Sequence, residues 1–450
     1  MFRKFTNGCV NLVGKYLPDP FLFAVILTIL VFAMGIFSTG QTPLDMIGHW
    51  SGGFWSLLAF SMQMALVLVT GHTLAQAPII KKGLRNLAGI PKTPGAAIFA
   101  VTLVALIASW INWGFGLVIG ALYAKELAKK VKGVDYRLLI ASGYSGFVIW
   151  HAGFSGSIPL TLATTTADLA GMTRGAVNAA IPTSETIFAL FTVVPVLVLI
   201  ATIPLLNKAM HPKAEDVVSV DPKIFDDEEI EVAAAKADMT PAEKMENSPV
   251  LSIAIGLMGL TFIVKHFIDK GFDLNLNVVN FIFLFVGVLL HGTPRRFLNA
   301  VTIAAKGTGG IIIQFPFYAG IMGMMTGANV EGVSLAAQMS NFFVNISNTT
   351  TFPFFSFISA GIVNFFVPSG GGQWAVQAPI MMPAGAELGV DAAKTAMAIA
   401  WGDGWTNMIQ PFWALPALGI AGLGAKDIMG YCLVNLIYVG IVVSLFLLIL

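Results

Sequence analysis

Charge is what this chain has least of. Only 11% of its 450 residues are Asp, Glu, Lys or Arg, against 56% hydrophobic, where a soluble domain carries about 25% charged residues. That shortage excludes an ordinary water-soluble domain. The charges present nearly cancel, 25 basic against 24 acidic, so no bulk field attracts nucleic acid and none is expected as a partner. Cysteine is almost missing. Cys9 and Cys432 are too few for a disulfide framework or a thiolate metal site. The chain has no phosphate-binding loop, no zinc motif and no nucleophile with a base beside it. An ATP-driven pump and an enzyme are therefore not the expectation, and no cofactor is expected beyond a coupling cation.

What remains is one apolar run after another, many of roughly 20 residues without a charge, as spanning helices require. The expected fold class is an all-α membrane protein with about nine transmembrane helices and two re-entrant hairpins. Arg3, Lys4 and Lys15 precede the apolar run Phe21 to Phe37. It starts like a signal h-region, but it is too long and lacks a cleavage site, so it reads as the first helix. The first unit, 1–206, holds helices at 20–38 and 54–76, a hairpin at 94–127, a broken helix at 138–170 and a helix at 186–206. A hydrophilic linker, 207–249, carries 11 of the 24 acids and reads as solvated. A linking transmembrane helix spans 250–268. The second unit, 274–450, holds helices at 274–290 and 309–326, an amphipathic segment at 331–343, a hairpin at 352–386, a broken helix at 392–423 and a final helix from 428.

The two units echo each other. Thr42-Pro43 recurs as Thr293-Pro294, Gln63 as Gln314, Asn112 as Asn364, and Gly133-Val134-Asp135 as Gly389-Val390-Asp391, in the same order and at nearly constant offset. Basic residues then set orientation. With the N-terminus cytoplasmic, a scheme in which the second unit is inverted places 21 of the 25 Lys and Arg inside; Arg174, Lys265, Lys270 and Lys394 are outside. The acidic linker is then cytoplasmic and the C-terminus periplasmic. Inverted repeats with broken helices near mid-membrane are the architecture of secondary transporters.

The breaks carry the site candidates. Pro368 lacks an N–H and glycine is a poor helix former, so the run Pro368-Ser369-Gly370-Gly371-Gly372 is expected to leave regular helix. In lipid, such a break survives only if buried or facing a watery cavity. Ser369 and the three glycines offer a hydroxyl and closely approachable N–H groups, as does Gly114 in the first hairpin. The Asn112 and Asn364 amides can donate to a carboxylate or cap a broken helix. Gln373 lies beside the glycines. Trp113 and Trp374 could wall the site for an alkyl tail or simply pack. Asp403, Asn407 and Gln410 share one helical face. Asp403 is an intramembrane acid, functional by default, able to bind a proton or a sodium ion; the plainer alternatives are a water-exposed acid or a partner for Lys394. His151, before the other break, either relays protons or packs. No Lys or Arg stands at a tip or a break, so a small monoanion fits better than a dianion.

Five strings carry a family resemblance: VPSGGGQWAVQAP from Val367, INWGFG from Ile111, WSLLAFSMQMA from Trp55, QFPFYAG from Gln314 and QPFWALPAL from Gln410. They resemble the short-chain fatty acid transporter family of bacterial inner-membrane permeases, and the likeness runs from about Leu17 to Tyr431. It implies a permease of butyrate- or acetoacetate-like monocarboxylates in the inner membrane, within the wider ion-transporter group, and leaves the coupling ion open. With Asp403 the reading is a cation-coupled symporter. The alternatives are a carrier of a dicarboxylate or other small organic anion, or an anion channel. A homo-oligomer is compatible with this reading. The topology has a direct test. In a chain freed of Cys9 and Cys432, a cysteine at position 112 is expected to label from the cytoplasm and one at 369 from outside. Labelling of either tip only from the opposite face, in every transport condition, would defeat the inverted scheme.

Overall fold

The computed structural model describes residues 2–16, 18, 20–164, 168–219, 239–271, 276–306, 308–368 and 370–450. Ser369 and the middle of the acidic linker lie outside them. Among the described residues the chain is all helix and connection, with no strand. In order come α1 (Phe2–Tyr16), α2 (Pro20–Thr39), α3 (Pro43–Gly53), α4 (Leu58–Gln76), α5 (Pro78–Ala88), α6 (Pro94–Ile111), α7 (Trp113–Lys130), α8 (Tyr136–Ser145), α9 (Ser157–Ala163), α10 (Leu169–Met172) and α11 (Leu190–Ala209). After the linker come α12 (Pro241–Glu246) and α13 (Pro249–Lys270). The rest are α14 (Leu276–His291), α15 (Pro294–Ala305), α16 (Gly309–Thr326), α17 (Leu335–Asn345), α18 (Phe352–Asn364), α19 (Gly370–Glu387), α20 (Ala392–Thr406), α21 (Pro411–Ala421) and α22 (Ala425–Ile449).

Among the described residues, five helices are long and apolar enough to cross a membrane: α2, α6, α11, α13 and α22, or six counting α4 with α5, which meet at 79°. The larger number expected from hydropathy counts α4, α14, α16 and each interrupted helix as crossings. Of the five, α6 belongs to a helical hairpin: it turns at Asn112 and packs against α7.

Local chemistry explains where helices begin. Thr42 and Thr293 accept N–H bonds from Asp45 and Arg296, capping α3 and α15, and a proline follows each at the first helical position, where its missing N–H costs nothing. Neither helix was anticipated. At 11 and 12 residues they are too short to register as apolar spans. Gly133 and Gly389 turn the chain at φ of 74° and 71°, a left-handed conformation that glycine adopts without steric cost. Two residues on, Asp135 and Asp391 each accept an N–H at 2.8 Å and cap α8 and α20. Two of the echoed pairs, Thr42-Pro43 with Thr293-Pro294 and the Gly-Val-Asp strings, are thus helix starts of the same kind. Packing crosses between the units: α2 lies on α16 and α4 on α14, while α3 rests on α16 and α15 on α4.

Two expectations about the breaks are corrected. Gly370, Gly371 and Gly372 are helical and form the first turn of α19. First-turn N–H groups have no intrahelical partner anyway, so poor helix formers are tolerated there. Among the described residues the break lies earlier, at 365–368. In the first hairpin it shrinks to Asn112 alone, since Trp113 and Gly114 already belong to α7. The segments expected to be broken helices each hold two helices. A 3-10 segment, Gly146–Ala152, and a turn separate α8 from α9; a 3-10 turn, Asn407–Ile409, and extended Gln410 separate α20 from α21.

Candidate functional site

Asn112 is extended and buried, and its side-chain oxygen accepts the Phe115 N–H at 3.0 Å, capping α7. The next residue, Trp113, donates its backbone N–H to Ser155 Oγ at 2.9 Å. Trp110 closes the same junction. Its carbonyl accepts the Phe154 N–H, and its indole donates to the Ala152 carbonyl at 3.1 Å. The first hairpin tip therefore supplies partners for the first broken helix.

The second unit repeats this with other residues. Asn364 is fully buried, and its amide donates to the Asp403 carbonyl, Thr406 Oγ1 and Asn407 Oδ1 at 3.0, 3.0 and 2.7 Å. Gln410 donates to the Phe365 carbonyl at 2.9 Å and accepts from the Tyr318 hydroxyl at 3.2 Å. Gln373 ties α19 to α18 through the Ala360 carbonyl at 2.8 Å and meets Gln377 at 2.9 Å. These amides are engaged with the protein itself.

The two coupling candidates, far apart in sequence, come together. Asp403 is fully buried, which removes the water-exposed alternative, and its neighbours here are Asn407 and His151. Asn407 donates to Asp403 Oδ1 at 2.9 Å. Asp403 Oδ2 lies 3.7 Å from His151 Nδ1, longer than a hydrogen bond but short enough for charge–dipole attraction. His151 Nε2 accepts the Ile158 N–H at 3.1 Å. That nitrogen therefore carries no proton, and a neutral ring keeps its proton on Nδ1, facing Asp403. Asp403 Oδ2, His151 Nδ1 and Asn364 Oδ1 have no hydrogen-bond partner among the described residues. Buried polar atoms left this way call for an explanation such as water, an ion or a functional role.

Around the pair, Trp150 stacks on His151 with centroids 4.2 Å apart, and Phe147 stacks on Trp150 at 5.6 Å. Trp113 meets Trp413 edge-on at 5.3 Å. Trp113 thus lies in an aromatic wall, whereas Trp374 is buried elsewhere along α19. Phe147, Trp150 and Trp413 escaped the sequence reading, because an aromatic in an apolar run looks like any core residue. The first turn of α19 closes the site. A Cβ on Gly370 would lie 2.8 Å from His151 Cε1 and 3.1 Å from Ser157 Oγ, so only glycine brings the helix this near. Beyond it, a Cβ on Gly371 would meet nothing. Gly372 lines a cavity of about 850 Å³ that runs along α19 to Glu387.

Comparison with known proteins places the chain. The family model described as short chain fatty acid transporter matches residues 1–450. A protein of Escherichia coli (strain K12), provisionally named a short-chain fatty acid transporter, is 44% identical over 98% of this chain and 98% of its own. One from Haemophilus influenzae (strain ATCC 51907 / DSM 11121 / KW20 / Rd), with the same provisional name, is 44% identical over 97% of each chain. The structure of the Alcanivorax borkumensis YdaH transporter covers 96% of this chain and 98% of its own at 17% identity, with a TM-score of 0.46, a likeness too loose to say anything of this chain's arrangement.

The amide of Asn364 clasps the second broken helix, so its removal has a stability cost. Asn364→Ala leaves buried acceptors unpaired and is expected to destabilise the protein by about 1–3 kcal/mol, read as a lower thermal midpoint in detergent. An unchanged midpoint would mean that the clasp bears no load.

Proposed function

The chain belongs to the short-chain fatty acid transporter family, and we propose that it carries a small monocarboxylate across the bacterial inner membrane together with a proton taken up at Asp403. The family is one of transporters rather than enzymes. The observation that carries the proposal is the contact between Asp403, from the second broken helix, and His151, from the first. An ionised Asp403 attracts the His151 N–H and holds the two interrupted helices together. A protonated Asp403 loses that attraction and frees them to part. Protonation of Asp403 favours entry of the substrate anion, so the carrier that moves loaded is the protonated one. The substrate-bound, unprotonated form is held, and the empty carrier returns more slowly to complete the cycle. That difference between states is what lets a gradient drive movement.

A proton suits this site better than sodium. The His151 N–H already presents a positive end where a sodium ion would sit on Asp403 Oδ2, whereas a proton needs only the carboxylate. The substrate carboxylate would lie against the first turn of α19, where a helix directs N–H groups at an anion, with Ser369 beside it. Its alkyl tail would face the aromatic wall of Trp113, Trp150 and Trp413. Asn112, Asn364, Gln373 and Gln410 then act by holding the breaks in shape. Support for two inverted repeats of four crossings and a hairpin, joined by α13, comes from the matching helix starts and from the exchange of packing partners between units. In this arrangement the N-terminus and the linker are cytoplasmic.

Asp403→Asn mimics the protonated acid and tests the proposal. In proteoliposomes, carrier-dependent accumulation of labelled butyrate, above that of protein-free liposomes, should fall to none. Exchange of labelled for unlabelled substrate should persist within a few-fold. Accumulation at the wild-type level by this variant would contradict the assignment.

A further inference from the structure

The cavity along α19 has a charged residue that the proposed mechanism leaves unused. Its wall is formed by α16, the 328–334 connection, α17 and α19, and it pairs apolar faces such as Val344 and Ile380 with polar groups such as Thr326 and Asn341. Its one basic lining residue among those described is Arg174, in the turn after α10, and its one acid is Glu387, at the far end of α19. Arg174 is exposed and has no ion-pair partner among the described residues.

The backbone at Arg174 is unusual as well. With φ of 50°, it is the one non-glycine residue of the described chain in the left-handed region. A side chain there meets its own backbone. Hydrogen bonds on both sides impose the conformation. Thr173 Oγ1 donates to the Leu169 carbonyl at 2.7 Å and accepts the Val177 N–H at 2.9 Å, and the Gly175 N–H reaches the Ala170 carbonyl at 2.8 Å. Glycine would sit at position 174 without cost, and one stands immediately after it. A steric penalty is borne to place a guanidinium on this cavity. Strain of that kind is characteristic of binding sites.

We propose that Arg174 is the anion-capture residue of the carrier. It draws a carboxylate into the α19 cavity and hands it to the helix's first turn at Gly372. This rests on the reading of the protein as a carboxylate transporter. A guanidinium matches a carboxylate through two parallel N–H bonds, and the apolar walls accept a short alkyl tail. A small amphiphilic anion is thus matched at both ends. Because the group is exposed and Asp403 does not line the cavity, its effect lies in encounter and affinity, not in coupling.

The test is carrier-dependent exchange of labelled butyrate in proteoliposomes at low and at high ionic strength, with wild type, Arg174→Gln, Arg174→Lys and Arg174→Gly. Arg174→Gln is expected to raise the half-saturating concentration about fivefold at low salt, as loss of a steering charge does, with maximal exchange within about twofold. High salt should narrow the gap. Arg174→Lys should recover part of the loss. Arg174→Gly removes the strain as well as the charge, so it should match Arg174→Gln in transport while melting at a higher temperature. That result would separate charge from backbone shape. If Arg174→Gln shows the wild-type half-saturating concentration at low salt while wild type exchanges butyrate saturably, the capture role is overturned and the transporter reading stands. If wild type exchanges no carboxylate at all, the transporter reading itself fails.

Discussion

A helix interrupted inside a bilayer must find partners for the backbone groups it frees, because lipid offers none. That constraint organises this protein. The interruption after α8 is met by the first hairpin, through Trp110 and the Trp113 N–H on Ser155. The interruption after α20 is met by the second, through Asn364 and Gln410. The residues differ between units but the task is the same. Once each break is satisfied by its own hairpin, the two breaks can be brought face to face without an unpaired backbone between them. Gly404 helps: without a side chain, it lets α20 approach the Val148 carbonyl of the opposite 3-10 segment.

Where the breaks meet, the protein retains one carboxylate and one imidazole fully buried. A buried carboxylate is costly unless paired, and the imidazole's orientation is determined by the Ile158 N–H rather than by the carboxylate. In the proposed mechanism that histidine is the dipole facing Asp403. The aromatic stack of Phe147 and Trp150 behind it keeps the ring in plane and water away. The three glycines form the first turn of α19 beside this pair. Gly370 touches His151, and Gly372 faces the cavity.

Much of this was legible in the sequence. Apolar length marked a helical membrane protein, though among the described residues five or six helices are long and apolar enough to cross against about nine expected. Proline and glycine marked the neighbourhood of the interruptions rather than their ends. Asp403 and His151 stood out singly, because each is a titratable group in an apolar run. That they face one another was not legible, since nothing local relates two residues on different halves of the chain. Asn364 could be placed at a break as a carboxylate donor or a cap, but the sequence did not show its contacts with the second broken helix. An amide caps, clasps or binds substrate with the same chemistry, and only its three contacts distinguish them. The glycine run misled for a physical reason. Propensity scales describe helix interiors, and these glycines occupy a first turn. Thr42-Pro43 and Thr293-Pro294 were visible as echoes, while the short helices that they cap fell below the length at which hydropathy speaks. Arg174 looked like any external cation, because neither its φ nor the cavity beside it has a signature in composition.

The central claim is that substrate binding and protonation of Asp403 are linked. The direct measurement is proton uptake by the purified carrier on addition of butyrate, in weakly buffered detergent solution near neutral pH. Linkage predicts uptake approaching about one proton per carrier at saturation, with apparent affinity for butyrate rising as pH falls. Binding without proton uptake, at an affinity independent of pH and dependent on sodium, would contradict the account.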